Sequence, residues 1–153
     1  SRSPQLDREA LSTTAGYNAW DAYARSKLAN VLFSTELADR LGPTTITANC
    51  CHPGTSPATD LARDGSLLPG LGWRLFGVVG KLTGFTDSPA EAAETPTYLA
   101  TSPEVSGMSG EYFEDREAVP PGDGALDRGA QRDLWETSVA WTGIEESRSF
   151  PPE

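Results

Sequence analysis

The chain has 153 residues, the size of one domain with a real hydrophobic core. Its 22 acidic and 12 basic side chains give a formal charge of -10, and the acidic residues are dispersed; that composition argues against a nucleic-acid binder, which needs a basic surface against phosphates. With no amino-terminal leader pattern and no run of about eighteen apolar residues, the chain is expected to be cytoplasmic and to lack an integral membrane segment.

Residues 1 to about 19 are polar and rich in turn formers. From Trp20 to Leu41 the pattern is helical: Leu28, Val31, Leu32, Ala38 and Leu41 recur at spacings of three and four, the mark of a one-sided apolar stripe. Asp21 is expected to cap this helix, and Gly42-Pro43 to end it. Thr45 to Cys51 is rich in β-branched residues and predicts a strand. Cys50 and Cys51 are neighbours, so an unstrained disulfide between them is out of reach; they read as small buried thiols in a reducing compartment. His52 is the single histidine, which argues against a zinc site. His52-Pro53-Gly54 then stops the strand in a turn.

Thr59 to Phe85 is a long connection with many leucines and aromatics, interrupted by glycines and by Arg74 and Lys81. It reads either as a substrate lid or as a short helix packed on the core. Neither Gly70-Leu-Gly72 nor Gly80-Lys81 has the flanks of a dinucleotide or phosphate loop. Ser88-Pro89-Ala-Glu91 starts a second helix, with Ser as cap, Pro first and Glu third, running to about Ala100. Gly110 to Glu114 predicts a short strand. Asp123 to about Trp141 predicts a third helix with Leu126, Leu134, Trp135 and Ser138 on one side. Residues 147–153 are expected to be a flexible tail, leaving residues 1–146 as part of one domain. Helices alternating with strands give an α/β class. Two short strands are too few for an independent parallel sheet, so the chain reads as part of a larger doubly wound domain.

The chemistry concentrates in Ala22-Tyr23-Ala-Arg-Ser26-Lys27-Leu-Ala-Asn30. Tyr23 and Lys27, four apart on a helix, share one face. An ammonium held near a phenol favours the phenolate, and such a phenol can give or take a proton at a carbonyl or alcohol oxygen. An ordinary amphipathic helix with an exposed Lys beside a half-buried Tyr would carry the same five residues. Glycine at the end of a strand lets backbone approach a flat ligand closely, although Pro53-Gly54 also serves as a plain turn. Tyr17, Tyr98 and Tyr112 read as packing residues, and His52 as a strand-end residue rather than a base.

Taken with Cys51-His-Pro53-Gly54, Ser88-Pro-Ala-Glu-Ala-Ala, Tyr98-Leu-Ala-Thr-Ser-Pro-Glu104, Ser109-Gly-Glu-Tyr-Phe113 and Asp133-Leu-Trp-Glu-Thr-Ser138, the tyrosine–lysine segment resembles the short-chain dehydrogenase/reductase family, in its retinol-dehydrogenase-like branch. The resemblance runs from about Ala22 to Trp141. It implies a Rossmann-type doubly wound parallel sheet, NAD or NADP as cofactor, and hydride transfer at a carbon–oxygen bond of a hydrophobic alcohol, aldehyde or ketone. Tyr23 would be the acid/base and Lys27 its activator and a ribose contact. Pro53, Gly54 and Thr55 would line the nicotinamide, and Thr59 would contact the carboxamide or diphosphate, although Ala58 stands where the family usually has that Thr. Ser1 is the candidate for the family's substrate-orienting serine. The family's glycine-rich turn and catalytic Asn would precede residue 1, so the chain is expected to be the carboxyl-terminal half of such a domain, inactive and poor at holding dinucleotide by itself. The family also pairs helices across a homodimer interface, which leaves open a non-catalytic remnant that survives as a protein-interaction module.

Overall fold

The computed structural model describes residues 18–54 and 87–144. Helix α1 spans Ala19–Leu41. Its cap is Asn18, whose side chain accepts from the backbone N–H groups of Trp20 and Asp21 at 2.9 and 3.2 Å. Asp21, expected as the cap, instead lies inside the first turn, where its charge suits the positive end of the helix. Gly42 closes the helix by donating to Asp39 O. The predicted stripe faces inward: Leu32, Ala38 and Leu41 are buried.

Strand β1 is Cys50–Cys51, shorter than the stretch from Thr45 that β-branched content predicted. The residues just before it are held largely by side chains. Ala48 N–H donates to Ser109 Oγ, and Asn49 bridges Met108 O and Glu111 N–H. Backbone pairing by residues 50 and 52 follows, with Cys50 N–H on Glu111 O and His52 N–H on Phe113 O. Both strands advance together in these bonds, so β1 and β2 (Tyr112–Glu114) run parallel. Strand β3, Glu117–Val119, had no sequence signal. It follows β2 through Asp115 and Arg116, both at positive φ (48° and 68°), the conformation of the tight hairpin turn. The sheet order is β1-β2-β3. The α/β class stands, but this sheet is mixed rather than purely parallel, because the two-residue turn reverses the chain.

The second predicted helix is two: α2, Pro89–Ala92, and α3, Glu94–Thr101. Ser88 and Glu91 form the expected reciprocal cap. The break at Ala93 has its cause in Pro96, which lacks the N–H that would reach Ala92 O and whose ring crowds that carbonyl. The last predicted helix starts later than Asp123. Asp123–Leu126 is a 3-10 turn, Asp127 caps, and α4 runs Arg128–Thr142 to Gly143 at φ 66°. Leu126, expected on the buried side, is exposed because it lies in that turn before the helix.

The chain divides into two compact units: Ser1–Cys50 with Val105–Tyr112 and Ala118–Glu153, and Cys51–Glu104 with Phe113–Glu117. In the first, α1 packs on α4. Phe33 stacks on Trp135 with ring centres 5.2 Å apart, and the Arg40 guanidinium lies 4.5 Å from the centre of the Trp135 ring. Arg40 also pairs with the buried Glu36 at 2.8 Å, and Arg128 pairs with Asp39. Gln131 and Thr137 are buried here, and Gln131 Nε2 donates to Ala125 O. In the second unit Phe113 and Thr95 are buried.

Candidate functional site

Tyr23 and Lys27 stand on the second and third turns of α1, in the first unit. The phenol ring is 40% exposed, and Lys27 Nζ lies 5.3 Å from its centroid. The pair thus shares one face as the spacing predicted, with the ammonium over the ring. Ser26 turns back on the helix and donates to Tyr23 O at 2.7 Å, so it takes no part in that face. Trp20, one turn before Tyr23, is 71% exposed. The phenol thus lies at the surface with the ammonium beside it.

The His52-Pro53-Gly54 turn belongs to the second unit. His52 N–H is tied to Phe113 O at 2.8 Å, and its ring Nδ1 accepts from Gly54 N–H at 3.0 Å. That hydrogen bond fixes the ring as a turn-holder, consistent with a strand-end role. Gly54 has φ 79°, a left-handed backbone that favours glycine. A Cβ added there would overlap the Asp87 carboxylate. The close approach at this glycine is therefore made, in part, by a side chain of the protein itself. Pro53 is exposed. The Asp87 carboxylate thus flanks the turn at Gly54.

Ser1, Thr55 and Thr59 lie outside the described residues, as do Tyr17, the connection from Thr59 to Phe85 and the tail. Among the described residues no cluster of His, Cys, Asp and Glu is placed to hold a metal ion, and no helix is long and apolar enough to cross a membrane. Cys50 and Cys51 form no disulfide, and burial pushes the Cys51 thiol up from its ordinary value. Sequence reading missed two features of the second unit. One is Asp87. The other is an open groove of about 310 Å³ on α2 and α3, walled by Tyr98 and Arg116. There Tyr98 Oη donates to Glu104 at 3.0 Å and Arg116 meets Glu94 at 3.4 Å. Desolvation and the Glu104 carboxylate raise the Tyr98 phenol above its usual range.

No family model matches the chain. Among curated proteins, mouse "Retinol dehydrogenase 14" is 41% identical over 143 residues, which cover 92% of this chain and 41% of that protein. The human protein of the same name is 42% identical over 142 residues, 91% of this chain and 40% of its own length. The zebrafish "WW domain-containing oxidoreductase" is 36% identical over 151 residues, 97% of this chain and 34% of the relative. The chain belongs to the short-chain dehydrogenase/reductase family. It spans about two fifths of the length of the retinol dehydrogenases it matches. Of the residues that the resemblance marks for this dehydrogenase family, the structure describes Tyr23, Lys27, Pro53 and Gly54. It brings the first two together on one helix face, and the last two together in one turn.

Proposed function

We propose that this chain is the acid/base-bearing part of a nicotinamide-dependent oxidoreductase with a Rossmann-type doubly wound domain, which interconverts a hydrophobic alcohol and its aldehyde or ketone. The observation that carries the reading is the Lys27 ammonium held over the exposed Tyr23 ring. Tyr23 gives its hydroxyl proton to the substrate oxygen in reduction and takes one from the alcohol in oxidation. Lys27 offsets the negative charge that the phenol oxygen carries after proton donation. NAD or NADP, when bound, supplies or accepts the hydride. Pro53 and Gly54 line its ring, with Thr55 and Thr59 beyond them, and Ser1 steadies the substrate oxygen. The relatives' printed names, retinol dehydrogenase among them, support a hydrophobic alcohol as substrate.

The test is an exchange. Residues 18–144 replace the matching segment of mouse retinol dehydrogenase 14, and turnover of retinol is measured with Tyr23 intact and as Tyr23→Phe. The reading expects turnover in the first and a loss of at least about 100-fold in kcat in the second, with cofactor affinity nearly unchanged. Retained turnover in Tyr23→Phe would refute the acid/base assignment.

A further inference from the structure

The face of α1 that carries the phenol changes character along its length. One turn before Tyr23 stand Ala19 and Trp20, and one turn after it stand Ser26 and Lys27. The first pair is apolar and the second polar. All four are exposed, and Trp20, at 71%, is more exposed than Tyr23 at 40%. Phe33, further along the helix, is stacked on Trp135, whereas Trp20 keeps most of its indole in water. Its backbone is nonetheless fixed, because its N–H donates to the Asn18 cap at 2.9 Å.

We propose that Trp20, with Ala19 beside it, is the shelf that takes the apolar body of the substrate. This deepens the proposed function and rests on its assignment of Tyr23. An alcohol or carbonyl oxygen at the Tyr23 hydroxyl leaves two directions along the helix for the rest of the molecule. Toward Lys27, an apolar body strips water from an ammonium, which costs free energy. Toward Trp20, it covers apolar surface on both partners, worth about 25 cal/mol per Å². The indole is a broad flat wall, and Ala19 adds only a methyl group, so a hydrophobic chain or ring has room to lie against the helix. Trp20 touches the substrate without giving or taking a proton, so it is a specificity residue of the site.

The test uses the same segment exchange with mouse retinol dehydrogenase 14. Retinol is titrated in the presence of reduced nicotinamide cofactor, a pair between which no hydride can pass, so the dissociation constant does not depend on Tyr23 chemistry. Trp20→Ala is expected to weaken retinol about tenfold, which corresponds to roughly 55 Å² of apolar surface left uncovered. In turnover the same variant should raise KM by a similar factor and leave kcat within about twofold. Trp20→Phe, which keeps a flat apolar ring, should recover most of the loss. Ala19→Glu puts a charge on the shelf at the first position of the helix, where a carboxylate favours folding. It should weaken retinol at least as much without lowering the melting temperature. Trp141→Ala removes an indole that is 65% exposed on α4, and should leave retinol affinity unchanged. Unchanged affinity in Trp20→Ala, or no retinol binding by the parent exchange, would overturn the shelf. So would a loss in Trp20→Ala that comes with a lower melting temperature and has no counterpart in Ala19→Glu, because the indole then packs on protein. Turnover retained in Tyr23→Phe sinks the acid/base reading instead, and it is read from a different measurement.

Discussion

Lys27 stands one helical turn after Tyr23, with its Nζ 5.3 Å from the centre of the phenol ring, and both side chains are exposed. A contact of this kind at the surface contributes only about 0.5–1 kcal/mol to stability. In the proposed acid/base role the ammonium also offsets charge left on the phenol oxygen, a quantity separate from stability. Lys27→Met is therefore expected to shift the unfolding free energy of the chain by no more than about 1 kcal/mol. In the segment exchange with retinol dehydrogenase 14, the same change should lower kcat about 100-fold. Chemical denaturation and steady-state kinetics on one pair of variants read both quantities. A large loss of stability with little loss of kcat would make the pair a packing feature.

Gly54→Ala meets two obstacles, a left-handed backbone and the Asp87 carboxylate. The backbone conformation costs about 1–2 kcal/mol for an L-residue, and the overlap adds to it. The expected loss is about 2–3 kcal/mol by urea denaturation. Asp87→Ala in the same chain removes the overlap but leaves the backbone cost. The double variant should thus recover part of the loss, and the two changes should be non-additive. Strict additivity would show that the carboxylate does not press on residue 54.

How much of this was legible in the sequence follows the range of each interaction. Tyr23, Lys27 and the Ser88–Glu91 cap act within one helical turn, and local spacing found them. Helix α1 was legible because apolar residues recur at helical spacing from Leu28 to Leu41, even though the buried Glu36 interrupts them. The break at Ala93 was written in Pro96, but the capping signal upstream favoured one continuous helix. The hairpin was hidden because Asp115-Arg116 carries positive φ without the glycine that usually announces it. Glu36, Gln131 and Thr137 are buried through contacts between α1, α4 and the turn before α4, which their polarity conceals. Asp87 lies thirty-three positions beyond Gly54, so its contact is tertiary and no motif marks it.

Asn18 rather than Asp21 caps α1, and the difference is measurable. Asn18 Oδ1 satisfies two backbone donors that otherwise have no partner within the helix. Asn18→Ala should cost about 1 kcal/mol, and Asp21→Ala about half of that or less, since only its favourable charge at the helix start is lost. Because Tyr23 stands close behind the cap, the first variant should also increase amide hydrogen exchange at residues 21–23. Equal costs for the two variants would return Asp21 to the capping role.

Cys51 carries a pH dependence whose sign follows from its surroundings. Burial disfavours the thiolate and raises the folded thiol above its ordinary value of 9.0. The folded chain therefore holds that proton more tightly than the unfolded chain. The resulting stabilisation is fully present below the unfolded thiol's value, near pH 9, and is lost as pH rises through the folded one. Two measurements follow. In a Cys50→Ser chain at pH 8, a disulfide reagent should modify native Cys51 several-fold more slowly than the same residue in urea. Between pH 8 and 10 the unfolding free energy should fall more steeply in that chain than in Cys50→Ser/Cys51→Ala, which has no thiol at either position to titrate. Native labelling as fast as in urea, together with identical slopes in the two chains, would mean that the Cys51 sulfur is as hydrated in the fold as outside it.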